Sequence, residues 1–247
     1  MNSSNQFFSG TSNVVLPVRN KTFFPPEFQQ SSRLTYYASL FNSVEVNSTF
    51  YRLPMARTVA KWAEEVPHDF RFSFKLIQTA THALKQTLDV RPIPAFLQCL
   101  DTSKRGCVLV QLPPKFAMDI TQLGVLLNAL ENSGWPLAVE FRNPGWYTDA
   151  VFELLYQHNA AMVLHDMKKS AAPMELTSDE FVYLRFHGPE PGYRGSYTDS
   201  FLAEYASYIH EWMDDGRTVY AYFNNTMGDA VGDLVRLRDF VGSSATP

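Results

Sequence analysis

The chain reads as an α/β protein, a somewhat irregular (β/α)8 TIM-like barrel. Three observations predict this. Strand-like and helix-like runs alternate through eight units. Charged and hydrogen-bonding side chains recur on one face of the strand-like runs, toward their C-terminal ends. The length of 247 residues lies near the roughly 250 residues at which such barrels commonly close. Strands separated by helical stretches imply a parallel sheet, because each parallel return needs a long crossover.

Taken in order, the strands are expected at Phe7–Thr11, Val44–Asn47, Phe70–Leu76, Val108–Leu112, Leu137–Arg142, Ala161–Asp166, Val182–His187 and Thr218–Asn224, each rich in β-branched or aromatic residues. Helical spacing appears between them. Leu34, Tyr37, Ala38 and Phe41 form one apolar face, and Val59, Trp62 and Ala63 another. Ile120, Leu123, Leu126, Leu127 and Leu130 form a third, and Leu202, Tyr205, Ala206, Ile209 and Met213 a fourth. Pro67, Pro136 and Gly216 stand where a helix should stop before the next strand. Residues 167–177 are short and broken by Pro173, so no full helix is expected between the sixth and seventh strands and the barrel should be incomplete there. One domain is expected over residues 1–241, with a disordered tail at 242–247.

Composition narrows the classes. Lys+Arg 21 against Asp+Glu 25 gives a formal charge of −4, which speaks against a wholly basic nucleic-acid coat. Cys99 and Cys107 lack the spacing of a metal or redox pair and read as buried reduced thiols. The first residues show no basic and apolar leader, and no run is long enough to span a bilayer, so a cytoplasmic protein without a membrane partner is expected. Gly-x-Ser-x-Gly, P-loop and dinucleotide fingerprints are absent.

Strand parity carries the functional reading. Successive strand side chains point to opposite faces. Glu45, Lys75, Gln111, Glu140, Arg142, Arg185 and His187 therefore point into the barrel, while Val44, Val46, Phe72, Phe74, Val139, Phe141, Val182, Leu184 and Phe186 face the helices. His165 and Asp166 fall on opposite faces; Asp166 is assigned to the mouth. Asn224 or Asn225, but not both, joins the inner face. Barrel enzymes work at this C-terminal end. The catalytic candidates are Glu45, Glu140, Asp166 and His187, with Asn47, Lys75, Gln111, Arg142, Trp146, Arg185, Arg194, Asn224 and Asn225 as substrate-binding candidates. Trp146 and the Gly188–Tyr197 loop with Arg194 could stack a sugar or base and hold a phosphate. His82 is a further residue worth testing. Glu45, Glu140, Asp166 and His187 are conceivable divalent-metal ligands, but Lys75, Arg142 and Arg185 would repel the ion, so no cofactor is expected.

The same residues carry a family resemblance. They lie in Tyr36–Tyr51, Phe74-Lys75 with Thr81-His82, Gln111-Leu112-Pro113-Pro114, Val139-Glu140-Phe141-Arg142 with Trp146, Asp166, Leu184–Gly188 and Tyr222–Asn225. In this order, over nearly the whole chain, they resemble the DUF72 (YecE-like) family. The resemblance implies a TIM-like barrel and points to the same polar set, but supplies no reaction. The chain departs from the family where Asn13-Val14 follows Gly10-Thr11-Ser12 in place of the usual Gly-Trp.

The leading expectation is an enzyme, a hydrolase or lyase, doing acid/base chemistry on an anionic, phosphorylated-sugar or nucleotide-like molecule at the mouth. The alternatives are a metal-assisted phosphodiesterase or nuclease, and a non-catalytic module binding nucleic acid or protein.

Overall fold

The structure, a computed structural model, describes residues 6–82, 87–100, 102–189, 191–224 and 228–243. It is a TIM-like barrel of parallel strands: β1 Phe7–Thr11, β2 Ser43–Val46, β3 Arg71–Lys75, β4 Arg105–Leu112, β5 Leu137–Phe141, β6 Ala161–Met162, β7 Leu164–His165, β8 Phe181–Phe186 and β9 Thr218–Phe223. The principal crossover helices are α1 Arg33–Leu40, α2 Ala56–Glu64, α5 Ile120–Glu131, α6 Asp149–Gln157 and α7 Asp199–Asp214, with α3 Gln78–Thr81 and α4 Ile93–Cys99 between β3 and β4 and α8 Ala230–Ser243 closing the chain. Helix starts follow local chemistry: Ser32 Oγ accepts the Thr35 N–H at 3.0 Å and Asp119 Oδ1 accepts the Gln122 N–H at 3.0 Å, satisfying donors left open in a first turn. Helix α8 runs two residues into the segment expected to be a tail; residues 244–247 lie outside the described set.

The strand ladder falls into two parts, β1-β9-β8-β7 and β2-β3-β4-β5-β6. The expected sixth strand is thus split. Its first half pairs with β5 and its second with β8, the chain changing partner at Val163, whose N–H still reaches Val139 O at 2.9 Å. No helix follows it before β8, as the proline-broken stretch predicts. Instead Thr177 folds back, its hydroxyl accepting the Met162 N–H and donating to Ala160 O, both at 2.7 Å.

The second interruption lies between β1 and β2, and side chains fill it. Asn42 Oδ1 accepts the Ser9 N–H and Asn42 Nδ2 donates to Phe7 O, both at 2.9 Å. The Tyr37 hydroxyl accepts the Thr11 N–H at 2.7 Å and donates to Ser43 O at 3.0 Å. Backbone pairing resumes at the mouth, where the Asn13 N–H donates to Glu45 O at 2.7 Å. Buried backbone polar groups are costly to leave unpaired, so these side chains substitute for a ladder.

Parity is realised. Cys107, Leu109, Ala138, Tyr183 and Tyr222 pack together inside the barrel, while Val108, Val110, Val139, Phe141, Val182 and Leu184 pack under the helices. Gly10 is fixed by the seam: a Cβ there would lie 1.9 Å from Ser43 O and 2.7 Å from the Tyr37 hydroxyl. Because the nearer atom is backbone, it cannot swing aside. Gly10→Ala should therefore lower stability by about 1–3 kcal/mol in urea unfolding; an unchanged midpoint would mean that β1 and β2 are not packed this closely.

Candidate functional site

The polar faces of β2, β3, β4, β5 and β8 meet at the C-terminal mouth, around one arginine. Arg185, 1% exposed, stands between Glu45 and Glu140, both 0% exposed. Its Nε and Nη2 donate to the two carboxylate oxygens of Glu45 at 2.9 and 2.7 Å, and its Nη1 donates to Glu140 Oε2. Glu45 also accepts the Ser12 hydroxyl at 2.6 Å and the Tyr183 hydroxyl at 2.8 Å. Each of its oxygens therefore receives two donors, filling the acceptor capacity of a carboxylate. Glu140 Oε1 takes Arg142 Nε.

Electrostatics assigns the protonation states. Burial opposes charge on both glutamates, but for Glu45 the charge and hydrogen bonds of Arg185, and for Glu140 the guanidiniums of Arg185 and Arg142, outweigh it. Both carboxyls are held below the usual range, Glu140 well below it. Burial likewise opposes charge on Arg185, and the two carboxylates reverse that and raise its pKa. A carboxylate so firmly ionised and hydrogen-bonded is a weak proton acceptor. Glu45 and Glu140 therefore serve to hold cations in place.

Burial shifts other groups at the mouth toward their neutral forms. Lys75 Nζ donates to Gln111 Oε1 at 2.6 Å and lies 4.3 Å from the centre of the Phe50 ring. Desolvation, and then the charge of Arg185, lower its pKa to about 8. His82 packs edge-on to the same Phe50 ring, its Nε2 3.5 Å from Gln111 Nε2. His187 lies 3.0 Å from Asn224 through Nδ1 and 3.6 Å from Glu140 Oε2 through Nε2. An amide N–H donated to Nδ1 leaves the ring proton on Nε2, facing Glu140. Desolvation, only partly offset by Glu140, lowers the His187 pKa to about 4 and keeps the ring neutral.

The remaining expected residues divide. Asp166 braces the mouth: Oδ1 accepts the His187 backbone N–H at 2.8 Å, and Oδ2 accepts the Tyr197 hydroxyl. His165, passed over for Asp166, lies edge-on to His187 with ring centres 5.8 Å apart, so both neighbours approach the site. Its Nε2 is 3.0 Å from Phe141 O and its Nδ1 accepts the Met167 N–H at 3.3 Å, which occupies both nitrogens. Asn47 donates its backbone N–H to Asn13 Oδ1 at 3.0 Å, and its own Oδ1 is buried without a hydrogen-bond partner among the described residues. Arg194 is exposed on the loop after β8. Asn225 lies outside the described residues.

Trp146 requires a correction. It is 0% exposed, stacked between Phe116 and Phe141, and its indole N–H donates to Phe116 O at 3.0 Å. It anchors the loop after β5 and offers no face to a ligand. Sequence reasoning missed Ser12, Tyr183 and Tyr197. Tyr183 shares its parity with Arg185 and His187, a signal that was available; the contacts of Ser12 and Tyr197 come from loops, which parity does not reach. Among the described residues no three His, Cys, Asp or Glu side chains are grouped as a metal ion would need. No helix of the described residues is long and apolar enough to cross a membrane.

Comparison with known proteins bears on the family and the fold. The model for "Protein of unknown function DUF72" matches residues 9–247. The chain belongs to the DUF72 family. This DUF72 protein is 25% identical to the UPF0759 protein YunF of Bacillus subtilis over 92% of its own length and 93% of that relative. It is 34% identical to the UPF0759 protein YecE of Escherichia coli K12 over 119 residues, 46% of this chain and 43% of YecE. A crystal structure of a DUF72 family protein from Thermotoga maritima superposes with a TM-score of 0.77 at 25% identity, covering 96% of this chain and 99% of the other. One from Enterococcus faecalis gives 0.78 at 21% identity, covering 98% and 99%. These likenesses support the TIM-like fold.

The buried network sets a pH signature. Depressed carboxylate pKa values stabilise the fold above the ordinary carboxylate range, and that contribution is lost as pH falls through the lowered values. Arg185→Met removes the cation, so desolvation then raises at least the Glu45 pKa and the sign reverses. The variant should lose about 3–5 kcal/mol near neutral pH and regain part of it on mild acidification, whereas the wild type only loses stability. Urea unfolding between pH 7.5 and 4 tests this; a variant with wild-type stability and slope would show that Arg185 does not neutralise the pair.

Proposed function

We propose that this protein is an enzyme performing acid/base chemistry on an anionic small molecule, of the phosphorylated-sugar or nucleotide-like class, at the C-terminal mouth of the barrel. One observation carries the reading. Arg185 is fully matched by carboxylates, but Lys75 and the outer nitrogens of Arg142 are not. Lys75 has no carboxylate within ion-pair distance among the described residues, and its hydrogen-bond acceptor is the neutral Gln111. Arg142 turns one outer nitrogen to Met167 Sδ and the other toward His187 Nε2 at 3.4 Å. A thioether is a weak acceptor, so an anionic oxygen would improve on it.

The roles follow from charge. Arg142, held through Nε by Glu140, binds the anion. Lys75 gives and takes protons, because a group titrating near the working pH is the most effective general acid or base. His187, kept neutral and oriented by Asn224, turns its Nε2 proton to Glu140 and so helps hold that carboxylate in place. Glu45, Glu140 and Arg185 keep the cations fixed, so that little reorganisation accompanies binding.

Inorganic phosphate and ribose 5-phosphate should each raise the thermal midpoint in a dose-dependent way, since ligands that bind only the native state stabilise it. Arg142→Ala should weaken that binding roughly tenfold or more, the worth of one charge-assisted hydrogen bond. Absence of any anion effect, or equal binding by the variant, would remove the basis for an anionic substrate.

A further inference from the structure

Lys75 is placed for more than proton exchange. Lysine is a nucleophile only as the free amine, and most lysines near neutral pH are not. The barrel works against the ammonium form from several elements at once. Phe50, from the loop after β2, covers one side of Nζ; its ring attracts a cation weakly, but burial of the group outweighs that attraction. Gln111 on β4 accepts a single hydrogen bond and brings no negative charge. Arg142 just after β5 and Arg185 on β8 add positive charge to the same mouth, and the glutamates that could compensate, Glu45 on β2 and Glu140 on β5, are already occupied by those guanidiniums. His82, from the segment after β3, stands beyond Gln111 as a neutral ring, its pKa lowered to about 4 by desolvation and then by Lys75. Lys75 nevertheless remains partly exposed.

We infer that Lys75 is a covalent catalytic residue, whose amine condenses with the carbonyl group of an anionic aldehyde or ketone; the inference rests on the anion site proposed above and names the substrate class for it. The amine lone pair attacks the carbonyl carbon, the carbonyl electron pair moves to oxygen, and a proton passes from nitrogen to that oxygen. A second proton then lets the hydroxyl leave as water, and an iminium remains, joining Lys75 to the substrate. Atoms balance with one water released and no redox partner. The iminium is an electron sink, so the adjacent carbon can lose a proton or a carbon–carbon bond, the chemistry of lyases. Arg142 lies across the mouth, where it can take the anionic group.

The titration behaviour supports this. A pKa lowered to about 8 leaves the free amine far more populated near neutral pH than in an ordinary lysine.

Pyridoxal phosphate, which joins an aldehyde to a phosphate, is the probe, with borohydride reduction converting any imine to a stable secondary amine. Peptide mass spectrometry of the full-length protein should find Lys75 modified at low probe concentration, roughly tenfold or more above exposed Lys61 and Lys115, with half-maximal labelling near pH 8. Lys75→Arg should abolish the adduct while leaving the thermal midpoint nearly unchanged. Labelling confined to surface lysines, or a Lys75 midpoint above about pH 10, overturns the inference. Pyridoxine 5′-phosphate, which carries an alcohol in place of the aldehyde, separates the two claims. If it binds and no Lys75 adduct forms with the aldehyde, the covalent role falls and the anion site stands. If neither compound binds, both fall.

Discussion

A guanidinium buried inside a protein is tolerable only when carboxylates and hydrogen bonds replace the water it has lost, and Arg185 is held on those terms. It projects from β8, in one part of the interrupted sheet, and its two partners Glu45 and Glu140 project from β2 and β5, in the other. A single side chain thus connects, through the barrel interior, two sheets whose backbone ladders do not run continuously. Tyr183 and Tyr222 reinforce it from β8 and β9, reaching Glu45, Ser43 and Ser73 on β2 and β3. The polar interior near the mouth is therefore a cross-brace, and it fixes Arg142 through Glu140.

This explains how the polar set divides its work. Arg185 consumes both Glu45 oxygens and one of Glu140, and Arg142 takes the other. The carboxylates are fixed as anions and lose most of their value as bases. The cations left less than fully matched, Arg142 and Lys75, are those that could gain from a ligand. Fold alone says nothing about chemistry, since this architecture hosts many unrelated reactions; the proposed anion chemistry rests on the imbalance at these two residues.

Much of this was legible in sequence because a strand has an exact two-residue side-chain period. Alternation in Leu137–Arg142 and Val182–His187 was enough to turn Glu140, Arg185 and His187 inward, and Pro173 was enough to deny a helix between β7 and β8. The partners were not legible. Glu45 and Arg185 are 140 residues apart, and periodicity assigns a face without saying who stands opposite. Trp146 shows a second limit. An aromatic in a Pro-Gly loop reads the same whether it lines the mouth or packs beneath it, and the flat apolar walls of Phe116 and Phe141 decided the matter. The breaks in the ladder were hidden as well, since Asn42 and Tyr37 replace backbone partners with side-chain atoms whose reach depends on the closeness of Gly10 to Ser43.

Hydrogen exchange at the Arg185 side chain tests the cross-brace most directly. In 15N NMR spectra the Nε–H of Arg185 should persist in deuterated solvent as long as the amides of the central strands, because leaving Glu45 requires opening the barrel. An Nε–H that exchanges as fast as that of exposed Arg194 would contradict the account, for it would mean that water reaches the guanidinium and that Arg185 does not brace the two sheets.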